Sequence, residues 1–217
     1  MAVFFDENDV VQLDGVAAWQ LASTGSWERL DLDSAYGSLP ANCSGAILRF
    51  ANTYASNEYL IGAREYNNTN FTSTADLQRN SQSTAYVKCD SNHEIEVYRE
   101  SSDVSVYFLG YFTSDATWES SPVDVSPGTT GSWQDINVSA YAGANDIFAI
   151  IEAVPQPSDH CNLRYNGATG DDRVLAVSVG HYWAIIPIDG SDIFEANIED
   201  SGVYLYLVGF ISGGTIR

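Results

Sequence analysis

The sequence predicts an all-β chain made of two tandem antiparallel β-sandwich domains of the jelly-roll type, related by internal duplication. Three observations predict it. The first is a repeat: Gly25-Ser26-Trp27, followed by Leu30, Leu32 and Ser34-Ala35-Tyr36, returns as Gly131-Ser132-Trp133, followed by Ile136, Val138 and Ser139-Ala140-Tyr141. The second is alternation of apolar and polar residues with period two, with helical spacing almost absent. The third is turn chemistry at short, regular intervals, which gives each half about eight short strands.

Taken in order, the first copy opens on the Gly-Ser-Trp turn and an alternating strand through Leu30 and Leu32. Gly45-Ala46-Ile47-Leu48-Arg49-Phe50 is the next apolar run, and it matches Phe148-Ala149-Ile150-Ile151-Glu152-Ala153 in the second copy. Ala85-Tyr86-Val87 is matched with Tyr182-Trp183-Ala184. Glu94-Ile95-Glu96-Val97-Tyr98 is a strand of β-branched and aromatic residues suited to a pleated surface. Asp90-Ser91-Asn92 precedes it as a hairpin turn, and Asp189-Gly190-Ser191-Asp192 does the same between Ala184 to Ile188 and Ile193 to Ile198. Val104 to Phe112 closes the first copy and Val203 to Ile211 closes the second, with Gly110 and Gly209 in the same place.

A repeated unit of about 100 residues has the usual size of a domain. The boundary is expected at Thr113-Ser114-Asp115, giving domains 1–113, with an N-terminal arm, and 114–217. The copies differ most between two strands: Tyr66 to Thr74 in the first is longer than Asn166 to Asp172 in the second. Insertions on a repeated scaffold fall in loops, where recognition differences sit. Asn67, Asn70 and Phe71 are therefore the candidate recognition residues.

Charge is the compositional outlier: 29 Asp and Glu against 9 Lys and Arg, a formal net charge of -20, with Lys88 the single lysine. An acidic surface starved of lysine keeps its hydration shell in molar salt and points to a halophilic source. At low ionic strength the same charges repel over about 30 Å, against about 3 Å at 1 M. A surface this negative repels phosphate backbones, so nucleic-acid binding is excluded. The residues from Met1 to Glu7 lack the basic and apolar regions of a signal peptide, and no apolar run approaches the roughly 20 residues of a membrane span. The expectation is a protein made in the host cytoplasm with no membrane insertion.

No catalytic constellation emerges. Gly-x-Ser-x-Gly, a paired nucleophilic cysteine and histidine, and a phosphate-cradling glycine loop are all missing from the sequence. A glycosidase carboxylate pair would have to be private to one copy, and no acidic motif marks one. Asp159-His160-Cys161 with His181 matches no zinc spacing, and its place beside Pro155 to Ser158 reads as a surface loop. Asp31 with Asp33, Asp171 with Asp172, and Asp189 with Asp192 lack the regular spacing of a calcium loop, which leaves weak Ca or Mg binding by surface carboxylates and no dedicated cofactor. Cys43 and Cys89 lie at strand ends close enough for a bridge to be possible, although three cysteines without a framework read as reduced thiols. Trp27 and Trp133, repeated after Gly-Ser, are expected to be core plugs, with sugar stacking as the alternative.

The recurring unit, Gly-Ser-Trp, alternating strand, Ala-Ile-Leu-Arg-Phe, Asp-Gly turn and Val-Tyr-Leu-x-Gly-Phe/Tyr, resembles β-sandwich modules of structural proteins of tailed viruses, including those of halophilic archaea. The resemblance runs through residues 10–112 and 118–212 and lies in packing positions. It implies a non-enzymatic virion protein, a capsid decoration or turret protein or a tail component. Its implied partners are other virion proteins in a homo-oligomeric arrangement. The alternative is a carbohydrate- or receptor-binding module such as a tail fibre or host-attachment protein. Val3, Phe4 and Phe5, two aromatics ahead of the repeated core, are the candidate assembly arm.

Overall fold

The computed structural model describes residues 21–70, 74–154, 159–169, 173–176 and 181–213. The chain divides into two compact units, Ala2–Ala116 and Thr117–Arg217. The first contains β1 (Ser26–Asp31), α1 (Leu32–Tyr36), β2 (Cys43–Asn52), β3 (Tyr59–Glu65), β4 (Ala75–Leu77), β5 (Ser81–Lys88), β6 (Glu94–Arg99) and β7 (Val104–Thr113). The second is formed by β8 (Ala116–Asp124), β9 (Gln134–Asn137), β10 (Asp146–Val154), β11 (His160–Tyr165), β12 (Arg173–Ala176), β13 (Tyr182–Pro187), β14 (Ile193–Ile198) and β15 (Tyr204–Ser212).

The second domain is an eight-stranded jelly roll. One sheet runs β13-β10-β15-β8 and the other β12-β11-β14-β9, so that successive strands alternate between sheets except β11 and β12, which pair within one sheet. The first domain repeats this order in seven strands, with β1-β6-β3-β4 in one sheet and β5-β2-β7 in the other; a counterpart of β8 is not among the described residues. Every strand pairing with a resolved register in both domains is antiparallel.

Register carries the duplication down to single residues. In the first domain Ile47 faces Gly110 and Leu48 faces Phe108, skipping Leu109. In the second, Ile150 faces Gly209 and Ile151 faces Leu207, skipping Val208. The same β-bulge therefore interrupts the same strand twice. The second shift is also shared: Cys43 faces Thr113 and Gly45 faces Phe112, as Asp146 faces Ser212 and Phe148 faces Ile211. A bulge adds one residue and changes which side chains point inward beyond it. In the second domain this is visible as Leu205, Leu207 and then Phe210 in one core cluster.

The matching turns explain why the motifs recur. Gly25 and Gly131 have φ of 71° and 72°, the left-handed region that glycine enters freely. Their N–H groups donate to the carbonyls of Arg99 and Ile198, both at 2.8 Å. The hairpin turns before β6 and β14 are built alike: Asp90 Oδ1 accepts from the N–H of Asn92 and Glu94, and Asp189 Oδ1 from those of Ser191 and Ile193. Each turn ends on a left-handed residue, His93 or Asp192.

Each sandwich buries its own core. In the first, Leu48, Phe50, Val106, Ile95 and Val97 are fully buried. In the second, Ala149, Ile151, Cys161, Phe194, Ala196 and Leu205 are equally closed to solvent. One sequence match needs correcting. Ile47 pairs with Tyr86 and Ile150 with Ile185, so Tyr86 corresponds to Ile185 and not to Trp183. A two-residue slip keeps every side chain on the same face, and alternation alone cannot detect it. Among the described residues no helix is long and apolar enough to cross a membrane.

Candidate functional site

A cavity of about 330 Å³ opens at one end of the β10-β15-β8 region of the second domain. That is within the size range of small-ligand sites, about 300–1,000 Å³. Strand β8 contributes Thr117, Trp118 and Glu119; the β9–β10 connection contributes Tyr141, Gly143, Ala144 and Asn145; Asp146 opens β10, and Phe210 and Ser212 come from β15. The connection starts in a tight turn, where the N–H groups of Tyr141 and Ala142 both donate to the Val138 carbonyl. This turn leaves the Tyr141 side chain 47% exposed beside the opening.

The lining polar groups fall into two sets. Asp146 is committed to the loop: its Oδ2 accepts from the Gly143 N–H at 2.7 Å and its Oδ1 from the Ser212 hydroxyl at 2.8 Å. The Gly213 N–H donates to the Asn145 carbonyl at 2.6 Å, fastening the same loop to the end of β15. By contrast, the Glu119 carboxylate, the Asn145 side-chain amide and the Tyr141 hydroxyl make no hydrogen bond among the described residues. The cavity thus has a fixed frame, with Glu119, Tyr141 and Asn145 among its lining residues and no Lys or Arg in its lining.

Of the recognition and assembly residues expected from sequence, only Asn67 and Asn70 are among the described residues. Val3, Phe4 and Phe5 are outside the described residues, and so is Phe71. Asn67 and Asn70 follow β3, where Asn67 has φ of 60°. The loop there holds itself: the Asn68 N–H donates to the Glu65 carbonyl, and the Asn70 N–H to Asn68 Oδ1.

Trp27 and Trp133 are not core plugs. Both are half-buried, on the sheet face opposite the core, because each strand phase is set by inward neighbours such as Ile95, Val97, Phe194 and Ala196. Each ring is covered by a guanidinium: Arg64 lies 4.2 Å from the Trp27 ring centre and Arg164 lies 3.9 Å from that of Trp133. Those arginines in turn donate through Nε to Glu96 at 2.7 Å and Glu195 at 2.6 Å. A ring capped in this way is a structural clamp, with that face closed to a sugar.

Other candidates resolve into local structure. Cys161 is a core residue on β11 rather than part of a surface loop, and burial pushes its thiol up to about 12. Cys43 and Cys89 are free buried thiols with their sulfurs 3.9 Å apart. His181 is buried against Glu152, and His160 pairs with Glu199 at the exposed start of β11. Asp31 caps α1, accepting from the Ser34 N–H and hydroxyl, and these bonds hold its carboxyl below the usual range. Asp189 is held low by Asn166 and the turn N–H groups. Asp171 and Asp172 are outside the described residues. Among the described residues no group of three or more His, Cys, Asp or Glu is placed to hold a metal ion.

The cavity was missed because its walls come from separate strands and form no contiguous motif. Tyr141 belongs to the Ser-Ala-Tyr repeat, so the sequence marks it as scaffold. Trp118 and Glu119 sit in β8, just past the expected domain boundary, where an isolated Thr-Trp-Glu carries no motif. A usable signal was the departure from the repeat: Asp146 stands where the first copy has Cys43, as their equivalent pairings with Ser212 and Thr113 show.

No protein-family model matches the chain. No curated protein matches it either. Among solved structures, it is similar to the N-terminal CBM22-1–CBM22-2 tandem domain of Paenibacillus barcinonensis Xyn10C, at 10% identity and a TM-score of 0.23, over 85% of this chain and 82% of that one. At that identity and score the likeness carries no argument about function.

Proposed function

We propose that this chain is a non-catalytic structural component of a virion, a capsid decoration, turret or tail protein of a halophilic tailed virus, working by assembly. One observation carries the reading: what the two jelly rolls share is packing. The repeated features are a glycine turn, two register shifts, an Asx-type hairpin turn and a Trp–Arg–Glu clamp, all of which build sheets and none of which reacts. Positions that would have to match in a duplicated catalyst differ in chemistry. Arg49 in the first copy corresponds to Glu152 in the second, and Cys43 to Asp146.

The jelly roll also serves capsid and lectin domains, an analogy at the level of fold only. The acidic, lysine-poor composition fits an exposed position on a particle in brine. Val3, Phe4 and Phe5 are the proposed anchor, and the partners are other virion proteins and further copies of this chain. Cryo-microscopy of purified particles tests the reading. Density for paired jelly rolls on the shell or tail is expected, and removal of residues 1–8 should release the protein without unfolding it. Purification of the native protein as a free monomer with hydrolytic turnover would overturn it.

The carbohydrate- or receptor-binding alternative is favoured by one specific observation, the cavity lined by Trp118 and Tyr141. It is compatible with a place on a particle surface, since attachment proteins are also assembled from non-catalytic β-sandwiches.

A further inference from the structure

We propose that the cavity at Trp118, Glu119, Tyr141 and Asn145 binds a neutral saccharide, one molecule per chain; this rests on the carbohydrate-binding alternative above. A sugar ring presents two kinds of surface. Its axial C–H groups form an apolar face that packs on an aromatic ring, and its hydroxyls need partners that both donate and accept. The cavity supplies both. Tyr141 is an aromatic ring 47% exposed beside the opening, and Trp118 forms part of the wall. Glu119 accepts, the Asn145 amide both donates and accepts, and the Tyr141 hydroxyl does either; none of these groups is engaged by another described residue.

Charge narrows the ligand class. The lining contains two carboxylates, Glu119 and Asp146, and no basic residue. An anionic sugar or a phosphate would enter against like charge with no counter-ion. A hard divalent cation needs several free oxygen ligands, but both oxygens of Asp146 are already accepting from Gly143 and Ser212. An organic cation would find here one carboxylate, Glu119, not already committed to the loop, and the net charge of -20 offers it many others elsewhere on the chain. A neutral polyol uses all the available groups and loses little to salt, because stacking and neutral hydrogen bonds are not screened as ion pairs are.

The frame is set before the ligand arrives. Asp146 ties Gly143 and Ser212, and the Asn145 carbonyl is tied to Gly213, so the loop bearing Tyr141 and Asn145 needs no ordering on binding. The first domain lacks this brace, with Cys43 in place of Asp146 and Thr113 in place of Ser212. Among the described residues the site is therefore built once.

The test uses the full chain and a panel of glucose, galactose, mannose, N-acetylglucosamine, maltose and cellobiose, with glucuronate and choline as charged controls. Binding is read by saturation-transfer NMR and tryptophan fluorescence. At least one neutral sugar should bind with one-to-one stoichiometry and a Kd on the order of millimolar. Trp118→Ala and Tyr141→Ala should each weaken it about tenfold or more. Glu119→Gln should weaken it less, and neither control should bind. Because Tyr141 is exposed, Tyr141→Ala keeps its fold even if Trp118→Ala does not. Sugar binding unchanged in Tyr141→Ala would overturn the site while leaving the carbohydrate reading intact. No binding by any neutral sugar would overturn both, and binding of choline or glucuronate alone would overturn the ligand class.

Discussion

A β-carbon at Gly209 would sit 2.4 Å from the backbone carbonyl oxygen of Thr117 and 3.3 Å from the α-carbon of Trp118. Both obstacles are main chain, so the collision is relieved only by moving β8 away from β15. Gly209→Ala is therefore expected to lower stability by about 1–3 kcal/mol, the usual cost of overpacking. It should also displace two walls of the cavity. Urea unfolding checks the first effect, and an unchanged midpoint would mean that β8 does not approach as described. Cys161 gives a pH-dependent counterpart. Burial pushes its thiol up to about 12, against 9.0 for an ordinary solvated cysteine. Between those values the native state holds a proton that the unfolded state has lost, so the contribution is complete below about pH 9 and disappears as pH rises toward 12. The wild type should lose stability more steeply from pH 8 to pH 10.5 than Cys161→Val. Equal slopes in urea melts would remove Cys161 from the alkaline transition.

At the level of strands and turns, the clearest device is the clamp that joins three strands on the outer face of each sandwich. Trp27 on β1 stacks under Arg64 from β3, which pairs with Glu96 on β6. Trp133, immediately before β9, Arg164 and Glu195 repeat it. The arginine and glutamate side chains are only 12–15% exposed, so solvent screens them weakly. A lysine can keep the charge but not the flat stacked plane. Arg64→Lys and Arg164→Lys should each cost about 0.5–1 kcal/mol, measured as a shift in the urea midpoint. Equal stability would show that charge alone matters there.

The same clamp shows how far the sequence could be read at this scale. The repetition of Trp27 and Trp133 was plain, and so were the Asp90 and Asp189 turns, because turn chemistry is local. The face each tryptophan occupies was not, since it depends on Arg64 and Arg164, which lie more than thirty residues away in the chain. The register of β5 against β13 slipped by two residues for the same kind of reason: alternation fixes a face but not a position along it. Cys161 was read as part of a loop because the Pro155 to Ser158 stretch ends immediately before β11.

For the molecule as a whole, the net charge of -20 dominates. If that surface is adapted to brine, the melting temperature should rise steadily from low salt to molar potassium or sodium chloride as repulsion is screened. A flat or falling curve would make it a merely acidic protein. The two-domain jelly-roll plan was legible because duplication doubles every signal. The cavity was not, because Asp146 is where the copies stop agreeing, and a three-dimensional wall built from β8, β10 and β15 leaves no contiguous motif.

The central claim is that this duplicated scaffold functions by taking its place in a particle. The most direct measurement is quantitative mass spectrometry of gradient-purified particles, with copy number referred to the major shell protein. Tens to hundreds of copies per particle, retained through purification in high salt, is the result this account predicts. Absence from the particles, with all of the protein recovered free in solution, would contradict it.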